Sequence, residues 1–297
     1  MNSTIVYQIS SHLGKKLVVL EQLPARHGTS CKLEDSDGTK ILLKLVDTAP
    51  DDPVTLRRKR SLLQEARLLE ELPAITGNLY LDHGELNTTT WLLRRWIAGV
   101  TTLEHCSYVH TRPLTPELKR RFVSDLCHML GVVMRLDAVG YLHGDLQPRH
   151  FLVDQEGTFH LIDLELAVHK GDAGADYGGG LVHYVSPEVA RAMLTGDQHI
   201  PLDARSEIYS FAAVAFTLYT RKTATRYESA VPGEQGRELS FAQQLQAIGQ
   251  RPIRSFVEAG AEPFPELERV LQWCLETNRE HRCPTFDAVL HALEHLL

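Results

Sequence analysis

The stretch His143-Gly144-Asp145-Leu146-Gln147-Pro148-Arg149-His150-Phe151-Leu152-Val153 decides how the rest of the chain reads. It sets an acidic residue in a loop between a long helical pattern and a short β-rich run. A second acid, Asp163, ends the next apolar run, Phe159-His160-Leu161-Ile162, and opens Asp163-Leu164-Glu165. Asp154, Glu156 and Gly157 form the turn between the two runs. Each aspartate alone is an ordinary turn residue. Two carboxylates carried by neighbouring strands are a different matter, because one can orient a hydroxyl while the other holds a hard cation such as Mg²⁺. Phosphoryl transfer needs little more than that positioning and charge neutralisation.

Upstream of this loop, the first third of the chain reads as strands: Leu17–Leu20, Thr29–Leu33 and, after the turn Asp35-Ser36-Asp37-Gly38, Ile41–Val46. A helix is expected from about Leu56 to Leu72, with Leu62, Ala66, Leu69 and Leu72 on one face and the basic run Arg57–Arg60 on a solvated one. Leu79–Leu81 and Trp91–Ile97 read as further strands. After Gly99 the pattern turns helical. Thr115 and Pro116 signal a helix start, and Phe122, Leu126, Met129, Val133 and Leu136 form its apolar stripe, which ends at Gly140. Helical patterns at roughly 204–220, 239–249, 265–276 and 284–296 fill the C-terminal part. Two units are expected, residues 1–97 rich in β-structure with one long helix and residues 98–297 mainly helical.

The composition agrees with a globular protein that buries a sizeable core, at 43% hydrophobic and 23% charged residues. With 31 basic and 38 acidic residues the formal charge is −7, which argues against nucleic acid as a partner. No apolar run approaches membrane-spanning length and no secretory signal opens the chain, so neither a membrane nor export is expected. Five scattered cysteines, never CxxC, read as reduced thiols of a cytoplasmic protein, without a disulfide frame or zinc site.

These residues together resemble the protein-kinase-like superfamily, in order and along nearly the whole chain. The resemblance implies an α+β bilobal fold, with ATP between a small β-rich lobe and a larger helical one. Lys44 matches the lysine that contacts nucleotide phosphates, and Glu65 the glutamate that pairs with it. The end of the strand, Arg95 to Ile97, matches the hinge that offers backbone groups to adenine. Asp145 matches the catalytic-loop aspartate and Asp163 the metal-binding one, with Glu165 and His150 as further metal candidates. Gly180–Glu188 resembles the end of an activation segment, with Glu188 paired to Arg282, and Ser206–Phe211 the start of the central helix. His143-Gly144-Asp145 and Asp163-Leu164-Glu165 are closer to small-molecule phosphotransferases and to the kinase domains of lanthipeptide synthetases.

Several positions depart from the family pattern. The loop Gln22–Thr29 carries one glycine, Gly28, where a glycine-rich phosphate cover is expected; Arg26 or His27 could supply charge there. His150 replaces the asparagine that binds a second metal. Loss of one such preorganised element typically costs about 10²–10³ in rate. Gln147 and Leu181 replace a lysine and a threonine that commonly approach the catalytic aspartate. Gly144 replaces an arginine, and residues 166–185 hold no Ser or Thr, only Tyr177 and Tyr184 as hydroxyl acceptors, so loop Ser/Thr phosphorylation is not expected. The run Gly178-Gly179-Gly180 suggests mobility. Arg94 reads either as the back of an adenine pocket or, one residue out of register, as an outer-face residue. Trp91, Trp96 and Trp273 read as core or hinge residues.

The expectation is an ATP- and Mg²⁺-dependent kinase acting on Ser/Thr hydroxyls of a protein or precursor peptide, with a partner biosynthetic enzyme as an associate. A pseudokinase scaffold is the alternative. A small-molecule kinase is a third reading, for which Asp172, Asp176 and Glu188 supply acidic groups.

Overall fold

Ile5, Ile9 and Leu13, spaced by four, build a helix at the N-terminus where only strands were expected. In the computed structural model, which describes residues 3–24, 28–49, 51–111, 113–172, 177, 179–197, 200, 202–227 and 239–297, this helix α1 spans Ser3–Leu13. Its buried Ile5, Val6 and Ile9 pack on Leu33, Leu43, Trp91 and Leu93.

Those partners belong to a five-stranded antiparallel sheet. Its strands are β1 (Val18–Leu23), β2 (Thr29–Glu34), β3 (Lys40–Asp47), β4 (Tyr80–Leu86) and β5 (Thr89–Arg95), in the order β1-β2-β3-β5-β4. The pleat divides β3 between two faces: Ile41, Leu43 and Leu45 join the cluster under α1, while Leu42, Lys44 and Val46 point the other way. On that second face lies α2 (Pro53–Glu71), joined to β4 through a single turn, α3 (Pro73–Thr76). Asp52 starts α2, accepting the Val54 N–H at 3.0 Å ahead of Pro53. The buried face of α2 is Leu62, Glu65, Ala66, Leu68 and Leu69. An acid therefore sits inside an apolar stripe at helical spacing.

From Gly99 onward the chain forms a second unit. The helix expected after Gly99 begins later, because Gly99–Thr101 is a strand, β6, before α4 (Thr102–His105). Gly99 is a glycine for a steric reason, since a Cβ there would collide with the Val153 carbonyl. Helix α5 (Pro116–Ala138) is capped by Thr115, and its stripe Phe122, Leu126, Met129, Val133 and Leu136 is fully buried. Next come β7 (Tyr141–Leu142), β8 (Phe151–Asp154), β9 (Phe159–Leu161) and β10 (Val168–His169). They form two antiparallel sheets, β6-β8-β9 and β7-β10. Among the described residues five helices complete the unit: α6 (Pro187–Thr195), α7 (Ala204–Thr220), α8 (Phe241–Gln250), α9 (Pro265–Cys274) and α10 (Phe286–Glu294). Helix α7 is buried along most of its length and is the spine of the larger core.

The fold is thus α+β, β-rich at the N-terminus and helical at the C-terminus. Two compact units divide it: Met1–Ala98 with Asp163–Glu165, and Gly99–Ile162 with Leu166–Leu297. Trp91 is core, but Trp273, read as a core or hinge residue, is 41% exposed on α9. All five cysteines are free thiols. Among the described residues no helix is long and apolar enough to cross a membrane.

Candidate active site

Lys44 sits on the α2-facing side of β3 and its ammonium is surrounded by acid. Nζ donates to Glu65 Oε2 at 2.6 Å, to Glu165 Oε1 at 2.8 Å and to Asp163 Oδ1 at 3.2 Å. An ammonium has three protons, so these three carboxylates occupy all of them. Burial alone would lower the Lys44 pKa, but Asp163, Glu65 and Glu165 outweigh it and hold the amine protonated. Glu65 responds in the opposite sense: burial pushes its carboxyl up against the pull of Lys44. Its second oxygen, Oε1, is buried without a hydrogen-bond partner. One ligand atom each from Glu65, Asp163 and Glu165 lie within 4.8 Å of one another, a set of hard oxygen donors of the kind that holds Mg²⁺. Asp163 adopts φ +68, a left-handed conformation that aspartate tolerates better than most residues.

Arg94 adds a second cation. The pairs Leu42↔Arg94 and Lys44↔Leu92 put Arg94 and Lys44 on one face of the sheet, which settles its register in favour of the inward reading. The side chain is 5% exposed, and its Nε is buried without a partner. Burial lowers its pKa while Glu65 and Asp163 raise it, and a guanidinium stays charged throughout. Two cations thus face three carboxylates.

The other residues expected around a nucleotide have their own local contacts. Gly28 has φ +77, and a Cβ on it would collide with the Leu45 carbonyl, so this glycine serves a close approach to β3. Arg95 gives its N–H to the Leu79 carbonyl at 2.7 Å, and Trp96 gives its own to Lys40 at 3.0 Å. The Arg95 carbonyl accepts Arg94 Nη1 at 3.3 Å. The Arg95 N–H is thus bonded to backbone and its carbonyl to the Arg94 side chain. Ile97 follows, buried. Arg26, His27, Asp176, Gly178 and the side chain of Asp172 lie outside the described residues.

In the second unit, Asp145 is held from two sides. Leu181 N–H donates to Oδ1 at 2.7 Å and Gln147 Nε2 to Oδ2 at 2.9 Å. The contacts expected to disappear with Gln147 and Leu181 are replaced, one by a neutral amide and the other by a backbone donor. His150 lies in the same loop, where its Nδ1 is 2.9 Å from the Asp145 carbonyl oxygen and 3.7 Å from Oδ2. His143 faces a carbonyl through Nε2 (Ile162, 3.0 Å) and an N–H through Nδ1 (Asp145, 3.2 Å), which assigns the proton to Nε2. Glu207 Oε1 on α7 accepts the Gly144 N–H at 2.7 Å; burial pushes its carboxyl up to about 7 against that bond.

Tyr177 and Tyr184, the candidate hydroxyl acceptors, are both buried. Gly180 makes a close approach to the Asp145 loop: a Cβ on it would lie 2.7 Å from Asp145 Oδ1. Glu188 and Arg282 form the expected pair, bidentate at 2.6 and 2.9 Å, and Arg282 also donates to the carbonyls of Glu276 (2.9 Å) and Arg205 (3.0 Å).

With this geometry in hand, sequence comparison adds a class. The profile of the Lipopolysaccharide kinase (Kdo/WaaP) family matches residues 63–175, a span that runs from α2 past Asp163 and Glu165. Receptor-interacting serine/threonine-protein kinase 1 of Homo sapiens is 28% identical over 270 residues, covering 83% of this chain and 36% of that protein. Mitogen-activated protein kinase kinase kinase 5 of Arabidopsis thaliana is 24% identical over 186 residues, 62% of this chain and 25% of that protein. Serine/threonine-protein kinase PknL of Mycobacterium tuberculosis is 26% identical over 223 residues, 70% of this chain and 53% of that protein. The chain spans only a quarter to about half of the length of these relatives. The α+β fold agrees with these matches, which support a protein-kinase-like domain and a phosphotransferase.

Proposed function

We propose that this domain transfers the γ-phosphate of ATP to a hydroxyl, with Mg²⁺ as cofactor and a Ser or Thr of a protein or peptide as acceptor. The observation that carries the reading is the Lys44 ammonium held among Glu65, Asp163 and Glu165. Glu65, the most buried of the three, orients Lys44 toward phosphate oxygens. Asp163 and Glu165, about a third exposed, are the groups that would hold Mg²⁺, whose charge would neutralise the phosphates. Asp145 orients the acceptor hydroxyl and takes its proton as the oxygen bonds to the γ-phosphorus and the bond to the β-phosphate oxygen breaks, releasing ADP. His150 is left to brace the loop through the Asp145 carbonyl. A protein or precursor-peptide substrate, with an associated biosynthetic enzyme, fits this reading.

A second acceptor class, a carbohydrate hydroxyl, is favoured by the lipopolysaccharide kinase profile over residues 63–175. Incubation with γ-labelled ATP, Mg²⁺ and panels of peptides and sugars, read by mass spectrometry, separates the two. Label on a peptide supports the first reading and label on a sugar the second. No label on either, together with no thermal shift at millimolar nucleotide, points to a nucleotide-free scaffold instead. Asp145→Asn should abolish transfer and leave nucleotide affinity within about two-fold, since it removes only the acceptor-side carboxylate; turnover that survives it removes Asp145 from the mechanism.

A further inference from the structure

Tyr177 is a buried hydroxyl-bearing side chain beside Asp145 that the proposed chemistry leaves unused. It is 7% exposed, and its hydroxyl is committed twice. It donates to the Gly144 carbonyl and accepts the Gly180 N–H at 3.0 Å. Both partners lie next to Asp145. Gly144 precedes Asp145 directly, and Gly180 precedes Leu181, whose N–H grips Asp145 Oδ1 at 2.7 Å. One hydroxyl therefore couples the loop that carries Asp145 to the segment that aims it.

The local sequence is cut to fit this tether. Gly144 has φ +78, and a Cβ there would meet the Tyr177 ring at 2.9 Å and collide with the Leu166 carbonyl. A residue with a side chain at this position, such as the arginine of the family pattern, would displace the tyrosine. Gly180 leaves room in the same way, since its Cβ would lie 2.7 Å from Asp145 Oδ1 and 2.8 Å from the Gly144 carbonyl. Burial and the charges of Asp145 and Glu207 push the Tyr177 hydroxyl far above its ordinary pKa, so it remains a donor.

We propose that Tyr177 is a positioning residue for Asp145, a built-in tether that orders the segment Gly180–Leu181 against the Asp145 loop without phosphorylation. As a corollary, Tyr177 is not a phosphorylation site in the folded protein. The catalytic part of this inference rests on Asp145 acting as the acceptor-side carboxylate; the tether itself does not.

Tyr177→Phe removes both hydrogen bonds and keeps the ring. In the full chain we expect kcat to fall ten-fold or more, with KM for ATP within about two-fold, and exchange of the Gly180 and Leu181 amides to accelerate at least ten-fold. Gly180→Ala, whose Cβ presses on Asp145 and on the Gly144 carbonyl that accepts the tyrosine hydroxyl, disturbs the tether from its other end and should reproduce the kcat loss if Tyr177→Phe folds poorly. Phosphatase treatment of the wild-type protein should change neither turnover nor amide exchange. Unchanged amide exchange in folded Tyr177→Phe overturns the tether, as does turnover that depends on phosphatase treatment. Wild-type turnover in both variants overturns the positioning role. If the wild-type chain transfers no phosphate at all, the proposed function fails, and amide exchange still decides the tether.

Discussion

Replacing Glu188 with Ala should destabilise the helical unit by about 3–5 kcal/mol. The Arg282 side chain is wholly buried and Glu188 is 13% exposed, so the variant strands a guanidinium away from water with its carboxylate removed. Two donors keep partners, Nε on the Glu276 carbonyl and Nη1 on the Arg205 carbonyl, whereas Nη2 loses its partner. Breaking one side of such a pair costs about 3–5 kcal/mol. For a unit of this size that lowers Tm by roughly 6–20 °C, at about 2–4 °C per kcal/mol. The effect should depend on pH in a defined direction. Burial would raise the Glu188 carboxyl, but the hydrogen bonds and charge of Arg282 hold it below its ordinary value. A depressed folded pKa contributes stability above the unfolded value, lost as pH falls through the folded one, so the gap between wild type and variant should be widest near neutrality and close in acid. Glu188→Ala/Arg282→Met leaves neither charge unpaired and should cost less than the two single changes summed. Urea unfolding followed by tryptophan fluorescence measures all four proteins. A single-variant loss under about 1 kcal/mol, or strict additivity in the double variant, refutes the reasoning.

Glu165→Gln should raise the affinity for ATP in EDTA by about five-fold, because it weakens one of three acceptors on the Lys44 ammonium; a charge-assisted bond to a group this exposed is worth about 1 kcal/mol after screening. Calorimetric titration checks it, and unchanged or weaker metal-free binding contradicts it. Glu207→Gln should flatten part of the pH profile of stability. The folded carboxyl titrates near 7 against an ordinary 4.5, so its contribution is full below the unfolded value and lost as pH rises through 7. Relative to the variant, the wild type should lose about 2–3 kcal/mol between pH 5 and pH 8, at about 1.4 kcal/mol per pH unit, and a constant difference across that range contradicts the burial argument.

Much of the candidate site was legible because its side chains sit at positions that the local pattern marks. Glu65 falls in the apolar stripe of α2, and Lys44 interrupts an otherwise apolar strand. Asp163 and Glu165 follow directly on an apolar run. The Glu188–Arg282 pair was also readable, as a sequence resemblance spanning nearly the whole second unit. What was hidden depends on backbone donors and on strand parity. The Leu181 N–H that holds Asp145 leaves no mark in the sequence, since any residue but proline carries that donor. Arg94 could not be aimed without register, because a one-residue slip reverses the face of every side chain in a strand. Gly28 makes a close approach to β3, a steric reason for glycine that composition alone does not show. Helix α1 did leave a signal, the four-residue spacing of Ile5, Ile9 and Leu13, overshadowed by the β-rich runs after it.

The most direct test compares ATP with adenosine by calorimetric titration of the wild-type chain in Mg²⁺. If the ammonium of Lys44 and the oxygens of Asp163 and Glu165 form a phosphate and cation site, Mg·ATP binds at least about ten-fold tighter than adenosine, a difference of about 1.4 kcal/mol or more. Lys44→Met should erase that difference. Equal affinity for the two ligands, or heat from neither, would contradict the assignment.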